Sequence, residues 1–247
     1  MASTYISRTP SSNGSETTGT FSAWIKRSSL GSYQKIYCSR QADNEFFLIQ
    51  FQNDDKLQVN LKIGGTDYLD LRTNAVFRDV SAWLHLVVTI DSANGTQSDR
   101  ARLYINGTRE TSFSTNTNNM SQNINSRING TAQTLFLGTF SGSGDYFDGS
   151  MTHLHWIDGT AYDSSTFGES DSVSGIWKPK TAPSVTYGTN GFFLKFENSG
   201  NMDLDSSGNN LTFTTSGTLT QNVDTPSNNF ATLNTLQGAI ASGLTLI

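Results

Sequence analysis

Short runs with the patterning of β-strands recur at nearly regular spacing from about residue 20 to about residue 157. Phe21–Lys26 and Leu57–Ile63 alternate apolar and polar side chains, which is the pattern of a strand with one buried face. Trp83–Ile90 carries apolar side chains on both faces, so we expect a central strand that is covered on both sides. The only helical turn expected is at residues 163–167, where Asp163 can act as an N-cap. The predicted fold class is therefore all-β.

The clearest hairpin signal is the dipeptide Asn106-Gly107, which follows the apolar run Ala101–Ile105. Asn and Gly adopt positive φ readily, as both central positions of a type I′ turn require. The return strand is predicted over Thr108–Phe113. The next stretch, Ser114–Thr131, is rich in Asn, Ser and Thr, and we expect a long loop there that is either functional or mobile.

The strand Ser150–Ile157 departs from strict alternation. The side chains expected to face the core are Met151, Leu154 and Trp156, whose spacing does not fit a period of two. One extra residue in the strand restores the pattern, so a β-bulge is predicted near His153.

Two late strands are predicted, at Gly191–Glu197 and Leu211–Thr214, as edge partners of the same sandwich. The core strands fall within about residues 20–160. The chain is therefore divided into one β-sandwich over residues 1–222, and a C-terminal tail or the start of a further module over residues 223–247.

The composition argues against several classes of protein. Charged residues make up 15% of the chain, against roughly 25% in an ordinary soluble domain, while aromatic residues reach 11%. Disordered chains are usually highly charged and poor in aromatic residues, so disorder is not expected. The net charge of −5 gives no support for nucleic-acid binding. No apolar stretch of ~18 residues occurs, so no membrane insertion is expected, and Met1–Thr4 lacks the basic start of a signal peptide.

Several runs occur in an order that resembles a laminin-G-like domain of the concanavalin A-like type. These runs are Phe21–Lys26, Trp83–Thr89, Leu103–Gly107, Leu135–Gly138 and Asp148–Gly159. The resemblance covers roughly residues 20–160 and extends to Phe192–Asn210, which is similar to the terminal strand of such domains and the turn that follows it. It implies a jelly-roll sandwich of two antiparallel sheets, used for glycan binding or for protein contacts.

A second set of short segments resembles a series common in bacteriophage structural proteins. They are Tyr146–Gly149, Phe167–Glu169, Trp177–Lys180, Tyr187–Phe192 and Asp224–Phe230. This resemblance implies a non-enzymatic virion surface protein that is made in the host cytoplasm. As a tail-fibre, spike or capsid-fibre module it would contact other virion proteins and host-surface glycans. The alternative is a structural capsid decoration or connector protein without glycan binding. A homo-oligomer is expected, a trimer first, because virion fibres are usually symmetric.

Glycoside hydrolases also occur on concanavalin A-like folds. They need two carboxylates at short spacing on one strand, typically as Glu-x-Asp-x-x-Glu or Glu-x-Asp-x-Glu. No such run occurs here, and separate segments carry Glu45, Glu110, Glu169 and Glu197. The chain is therefore predicted not to be an enzyme, and a polysaccharide depolymerase is kept as a distant alternative.

Sugar rings stack on exposed aromatic faces beside polar side chains, and tyrosines in or near turns are the candidates for such a platform. The candidate ligand-binding residues are Tyr33, Tyr68, Tyr146 and Tyr162, with Asn118, Asn119 and Asp145 as polar partners. The alternative is that these tyrosine rings seal the edges of the sandwich, with their hydroxyls reaching water.

The laminin-G-like resemblance also implies that Ca²⁺ can bind at the rim of the sandwich, although no cofactor is required. The candidate ligands are Asp145, Asp148, Asp203 and Asp205. The alternative, which we favour, is that these residues form turns, because Asp side chains readily accept hydrogen bonds from nearby backbone.

Two further residue types are expected to be structural. His153 and His155 could face the same side of a strand and bind a transition metal, but no third ligand is nearby and the predicted bulge separates them. Cys38 is the only cysteine, so it cannot form an internal disulfide, and it is predicted to be a buried, unreactive thiol.

Overall fold

A computed structural model describes residues 3–227 of the chain. These residues contain sixteen strands and two short 3₁₀ turns, Gln97–Asp99 and Ser164–Thr166. The strands are β1 (Tyr5–Arg8), β2 (Thr18–Arg27), β3 (Gln34–Ala42), β4 (Glu45–Phe51), β5 (Lys56–Ile63), β6 (Thr66–Val76), β7 (Leu84–Asp91), β8 (Ala101–Ile105), β9 (Thr108–Arg109), β10 (Phe113–Asn118), β11 (Thr134–Leu137), β12 (Gly149–Asp158), β13 (Gly168–Ser170), β14 (Trp177–Pro179), β15 (Phe192–Leu194) and β16 (Thr214–Ser216).

Two large antiparallel sheets form a sandwich. The eight-stranded sheet has the order β10-β6-β5-β4-β3-β11-β1-β16, and the six-stranded sheet has the order β15-β12-β2-β7-β8-β9. The remaining strands, β13 and β14, pair only with each other. The predicted all-β, concanavalin A-like jelly roll is confirmed. No helix in the described part of the chain is long and apolar enough to span a membrane.

The core lies between the two sheets and is rich in aromatic rings. Tyr37 of β3 stacks on Trp156 of β12 with ring centroids 4.9 Å apart, and Phe21 of β2 packs against Tyr37 at 5.4 Å. These rings are at most 2% exposed. The alternation of β5 and of Phe21, Ala23 and Ile25 in β2 is confirmed, because these residues point into the core, whereas Trp24 of β2 lies on the opposite face and stacks on His85.

Strand β7 is central in the six-stranded sheet, as its two apolar faces predicted. One face packs in the main core, and the other is buried beneath the segment of residues 160–190. On that covered face Val87 packs with Phe167, and the Thr89 hydroxyl donates a hydrogen bond to the Tyr162 carbonyl at 2.5 Å. The outer face of this sheet is therefore closed over β7.

The hairpin at Asn106-Gly107 is confirmed, with φ of 47° and 86° at the two positions. Its return strand is shorter than predicted, because β9 ends at Arg109. Phe113 instead begins β10, which pairs with β6 at the edge of the other sheet. The predicted loop Ser114–Thr131 is therefore wrong at its start. The half-buried Phe113 ring packs against the core at the point where the chain passes from one sheet to the other.

The predicted bulge and helical cap are both confirmed. The pairing of β12 with β2 shifts between Thr152 and His155, and His153 has a φ of 47°. Asp163 accepts a hydrogen bond from the Ser165 backbone N–H at 3.0 Å and caps the turn Ser164–Thr166.

The late strands return to the sandwich as edges. β15 pairs with β12, and β16 pairs with β1. Strand β16 begins at Thr214, where the predicted strand Leu211–Thr214 was expected to end. It begins later because residues 205–211 form a turn around Asp205. The predicted tail or further module over residues 223–247 lies mostly outside the described residues and stays a prediction.

Cys38 is fully buried in a small apolar cluster with Phe46 and Leu48 on the outer side of the eight-stranded sheet. Burial raises the pKa of its thiol well above the ordinary value. Because only the thiolate is nucleophilic, the folded protein should not react with a disulfide reagent such as dithionitrobenzoate, whereas the unfolded protein should release one equivalent of chromophore. Stoichiometric reaction under native conditions would contradict the buried placement.

Candidate functional site

The outer face of the eight-stranded sheet carries an ordered array of polar side chains. In β5 the alternation directs Leu57, Val59 and Leu61 into the core, so Gln58 and Asn60 lie on the opposite face. The strand register then places polar residues side by side across four strands, in the row Lys35, Gln50, Gln58 and Arg72.

These side chains are hydrogen-bonded into a continuous chain. The Lys35 ammonium donates to Gln50 Oε1, and the amide groups of Gln50 and Gln52 both donate to Gln58 Oε1. The Gln58 amide in turn donates to Asp70 Oδ1 at 2.6 Å. The side chains of Gln50, Gln58 and Asp70 are only 4–6% exposed, so the middle of the array lies beneath the surface of the face.

Asp70 ends the chain in an ion pair with Arg72. Arg72 donates from Nε to Oδ1 at 3.1 Å and from a terminal nitrogen to Oδ2 at 2.8 Å. These hydrogen bonds to Asp70 raise the pKa of Arg72 above its ordinary value. Both oxygens of the Asp70 carboxylate are therefore engaged as hydrogen-bond acceptors.

The cations of this face all have carboxylate partners. On this face the described residues form the ion pairs Lys35–Asp145 at 3.1 Å, Arg72–Asp70 at 2.8 Å, Lys62–Asp67 at 3.1 Å, Lys56–Asp54 at 3.7 Å and Arg40–Asp43. The face therefore offers many hydrogen-bonding groups with little excess charge of either sign.

One rim of the face brings together three of the residues that the sequence singled out. The Tyr33 ring is 42% exposed, and its centroid lies 5.1 Å from Lys35 Nζ. Asp145 reaches the same ammonium from the loop of residues 138–148. The neighbouring Tyr146 hydroxyl donates to the Gly142 carbonyl at 2.9 Å and so stabilises that loop.

The loop of residues 138–148 also covers the apolar part of the face. Phe140 meets Phe46 edge-on at a centroid distance of 5.1 Å, and the Arg40 guanidinium lies 5.0 Å from the centre of the Phe140 ring. The loop thus covers an apolar patch formed by β3, β4 and β11, which lies beside the polar array.

The other predicted ligand-binding residues lie elsewhere. Tyr68, Asn118 and Asn119 lie beside the open edge of the sandwich, where the Asn119 N–H donates to the Tyr68 carbonyl at 2.7 Å. Asn118 and Asn119 line a cleft of about 530 Å³ between the two sheets. Tyr162 is half-buried on the outer face of the six-stranded sheet, edge-on to Phe167, which matches the sealing role proposed as the alternative.

The four aspartates proposed for Ca²⁺ do not come together as one cluster. Asp145 pairs with Lys35, and the Asp203 carboxylate accepts the Thr215 hydroxyl at 2.7 Å. Asp205 accepts hydrogen bonds from the backbone N–H groups of residues 193, 207 and 211, which is turn formation. For Asp148 only a backbone contact is seen, its carbonyl accepting the Ser28 N–H. Residues 3–227 contain no group of three or more His, Cys, Asp or Glu side chains suited to a metal.

A serine and a histidine meet on the covered face of the six-stranded sheet, which the sequence did not predict. Ser22 Oγ lies 3.0 Å from His85 Nε2, and the Trp177 indole donates to His85 Nδ1 at 3.0 Å. An indole nitrogen can only donate, so Nδ1 accepts and the neutral ring carries its proton on Nε2. His85 therefore donates to Ser22, which is the reverse of what a general base requires.

Burial also keeps this histidine neutral. His85 is 0% exposed, and burial together with His153 lowers its pKa to about 3. The pair consequently fixes Trp177 and the covering segment to the sheet and does not form a nucleophilic site.

The model of a family described as the concanavalin A-like lectin/glucanases superfamily matches residues 2–164. No match was found among curated proteins. Among solved structures, a Bacteroides ovatus protein proposed to bind carbohydrate shares 16% identity with a TM-score of 0.51, over 87% of this chain and 56% of that one. At such identity the similarity shows the fold, and the chain spans little more than half the length of that protein.

Two further solved structures are similar at lower scores. A SAP-like pentraxin from Limulus polyphemus is 13% identical, with a TM-score of 0.43 over 62% of this chain and 69% of that one. The CBM40 of the Ruminococcus gnavus IT-sialidase, bound to α2,3-sialyllactose, is 18% identical, with a TM-score of 0.40 over 57% and 73%.

Proposed function

The chain belongs to the concanavalin A-like lectin/glucanase superfamily, and from this premise we propose that it is a non-enzymatic carbohydrate-binding module. The observation that carries the proposal is the continuous hydrogen-bonded array on the outer face of the eight-stranded sheet, with the exposed Tyr33 ring at its rim. The carbohydrate binding proposed for the Bacteroides ovatus protein is consistent with this function.

The chemistry of the array suits a neutral glycan. Sugar hydroxyls need donors and acceptors together, and the exposed ends of the array beside Tyr33 offer both in Arg72 and Asp145, whose side chains are 40% and 50% exposed. The buried amides of Gln50 and Gln58 hold Lys35 and, through Asp70, Arg72 in fixed positions, so little side-chain freedom is lost when a ligand binds. The cations Lys35 and Arg72 are already paired with carboxylates, which removes the unpaired positive charge that an acidic sugar would seek.

The proposal of a non-enzymatic module rests on the pairing of the acidic groups at the face. Glycoside hydrolysis needs one protonated and one ionised carboxyl group on either side of a glycosidic bond. Asp70 is paired with Arg72 and Asp145 with Lys35, so neither carboxylate lies free on either side of a space for such a bond. Release of reducing sugar from bacterial surface polysaccharide by the purified protein would contradict this part of the proposal.

Tyr33 provides the direct test of the face. The Tyr33→Ala variant should bind a glycan ligand about tenfold more weakly, which corresponds to about 1.4 kcal/mol. The ligand is first identified by applying the full chain to a broad glycan array, and affinities are then measured by calorimetry. Leu30→Ala is the matched control, because Leu30 is 40% exposed in the same β2–β3 connection and should leave binding unchanged.

Two outcomes of that experiment would overturn the proposed site. The first is that no glycan on the array binds the full chain, which would favour a purely structural role for the sandwich. The second is that Tyr33→Ala and Leu30→Ala bind the identified glycan equally well, which would remove the outer face from consideration.

The setting that we propose for this module is the surface of a bacteriophage particle, as part of a tail fibre, spike or capsid fibre. The support is the series of short segments that resembles phage structural proteins, including Tyr146–Gly149 and Tyr187–Phe192. Other virion proteins would then be partners, and a homo-oligomer, a trimer first, would multiply weak glycan contacts. The second candidate is a structural decoration or connector protein.

Cryo-EM of the intact particle separates these two candidates. Density for the chain at the distal tip of a fibre would support host recognition. Density flush with the capsid lattice or at a tail junction would support the structural role, and absence from the particle would overturn both.

A further inference from the structure

The open edge of the sandwich contains a cleft that the outer-face site does not use. It lies between β10, the edge strand of the eight-stranded sheet, and the β8–β9 hairpin at the edge of the six-stranded sheet. Its volume of about 530 Å³ falls within the roughly 300–1,000 Å³ that is usual for small-molecule sites.

The lining of the cleft is amphipathic. Its floor consists of the half-buried Phe113 ring and, beneath it, Leu71 and Leu103, which are at most 4% exposed. Its rim is polar and includes Gln97, Ser98, Arg102, Glu110, Asn116 and Asn118. An apolar floor with a rim of amides and hydroxyls matches the two kinds of surface on a sugar ring, namely its C–H face and its hydroxyls.

Two polar atoms of lining residues have no partner within residues 3–227. They are Asn118 Oδ1 and Arg102 Nε, and both are buried. The orientation of the Asn118 amide is fixed, because its Nδ2 donates to the Gln97 carbonyl at 2.9 Å while the Gln97 amide donates to the Asn118 carbonyl at 2.9 Å. Its Oδ1 is therefore left without a donor, which is unfavourable for a buried acceptor.

We propose that this cleft is a second carbohydrate site, which takes a single neutral sugar ring or the terminal ring of a saccharide. The C–H face of the ring packs on Leu103 and Phe113, and a ring hydroxyl donates to Asn118 Oδ1 once a rim side chain turns aside. The inference does not depend on the outer face, because the two sites share no residue.

A peptide strand fits the cleft less well. Strand addition uses a regular row of free backbone groups along an edge. The pairing of β10 with β6 is broken by a bulge between Phe113 and Thr115, which disturbs that row. The cleft also lies between the sheets, away from the direction in which a further strand would pair.

The test is amide NMR of the deuterated full chain, titrated with the methyl glycosides of glucose, galactose, mannose, rhamnose and N-acetylglucosamine. At least one of them should shift the amide signals of Leu103, Asn118 and Asn119. A variant that fills the cleft, Asn116→Trp, should weaken these shifts at least tenfold, since Asn116 is an exposed lining residue opposite Leu71. The control Ser112→Trp, at an exposed position that does not line the cleft, should retain them.

The two sites fail independently in this experiment. Shifts confined to the amides of Gln50 and Gln58 would overturn the cleft and leave the outer face intact. Shifts confined to the cleft amides would support the cleft and overturn the outer face. If none of the five glycosides shifts the cleft amides, or if the shifts persist in Asn116→Trp, the cleft is not a sugar site.

Discussion

Replacement of Asp55 by alanine is expected to destabilise the folded protein by about 3–5 kcal/mol, the loss that follows when one partner of a buried ion pair is removed. The Arg27 guanidinium, 4% exposed, donates to Asp55 Oδ1 at 3.0 Å, and Arg78 donates to Oδ2 at 2.9 Å. Without Asp55 the buried positive charge of Arg27 keeps only the Phe77 carbonyl as a hydrogen-bond partner, at 2.7 Å.

Asp55 also joins segments that are distant in the sequence. Its carboxylate accepts the Gly31 N–H at 2.9 Å, and its backbone carbonyl accepts the Phe77 N–H at 2.9 Å. The β2–β3 connection, the β4–β5 turn and the segment after β6 therefore meet at one side chain. Asp55 has a φ of 66°, which Asp and Asn tolerate better than Ala, so backbone strain adds to the loss.

The measurement is the free energy of unfolding from urea titration of the two proteins at neutral pH. Asp54→Ala is the matched control, because Asp54 is the preceding residue and its side chain is 53% exposed, with an exposed hydrogen bond from the Lys56 N–H at 3.2 Å and a 3.7 Å contact to the Lys56 ammonium. It should change stability by less than about 1 kcal/mol. Equal losses in the two variants would show that the buried ion pair is not what stabilises this junction.

The strands that could be predicted from the sequence are those with one apolar and one polar face. In β5 the position of each apolar residue determines its direction, since a shift by one residue would move the whole set out of the core. Strand β10 was missed because its sequence, Phe-Ser-Thr-Asn-Thr-Asn, contains one large apolar residue, and its placement depends on pairing with β6. The position of β10 is therefore determined by a tertiary contact, which a local sequence pattern does not contain.

The candidate site was only partly predictable for the same reason. Tyr33 and Asp145 were proposed because they lie in turns, and both reach Lys35 in the structure. Gln50 and Gln58 were not proposed. A signal existed in the alternation of β5, which places Gln58 and Asn60 on one face, but their burial follows from the register of four strands. Tyr162 lies on the other sheet because the segment that carries it folds across β7.

The stability of the protein should fall steeply as the pH is lowered from 7 to 5, because two histidines are buried in their neutral form. Burial and nearby histidines lower the pKa values of His85 and His155 to about 3. In the unfolded chain each histidine titrates at about 6.5. Below that pH the unfolded state binds protons that the folded state cannot bind, so the free energy of unfolding decreases until the pH reaches the folded-state pKa.

The expected loss is about 2 kcal/mol per histidine at pH 5, or about 4 kcal/mol for the pair, relative to pH 7.5. His153 is half-buried with a lowered pKa and adds to the loss. Burial acts to raise the pKa of Asp55, but hydrogen bonds from Gly31, Arg78 and Arg27 outweigh it and keep that pKa below its ordinary value. The contribution of Asp55 is therefore lost only below about pH 4. The change in the free energy of unfolding between pH 7 and pH 5 therefore measures the contribution of the histidines.

His155→Phe should remove one of the two titrations. The His155 ring stacks on Phe193 with centroids 4.0 Å apart, and a phenyl ring preserves that packing. The slope of the unfolding free energy against pH between 6 and 4 should then fall by about 1.4 kcal/mol per pH unit, the value for one proton. The Tyr187 hydroxyl loses its contact with His155 Nδ1, which lowers stability equally at every pH in this range and leaves the slope unaffected. An unchanged slope in the variant would mean that His155 is protonated in the folded state, and that the covering segment opens more readily than its packing indicates.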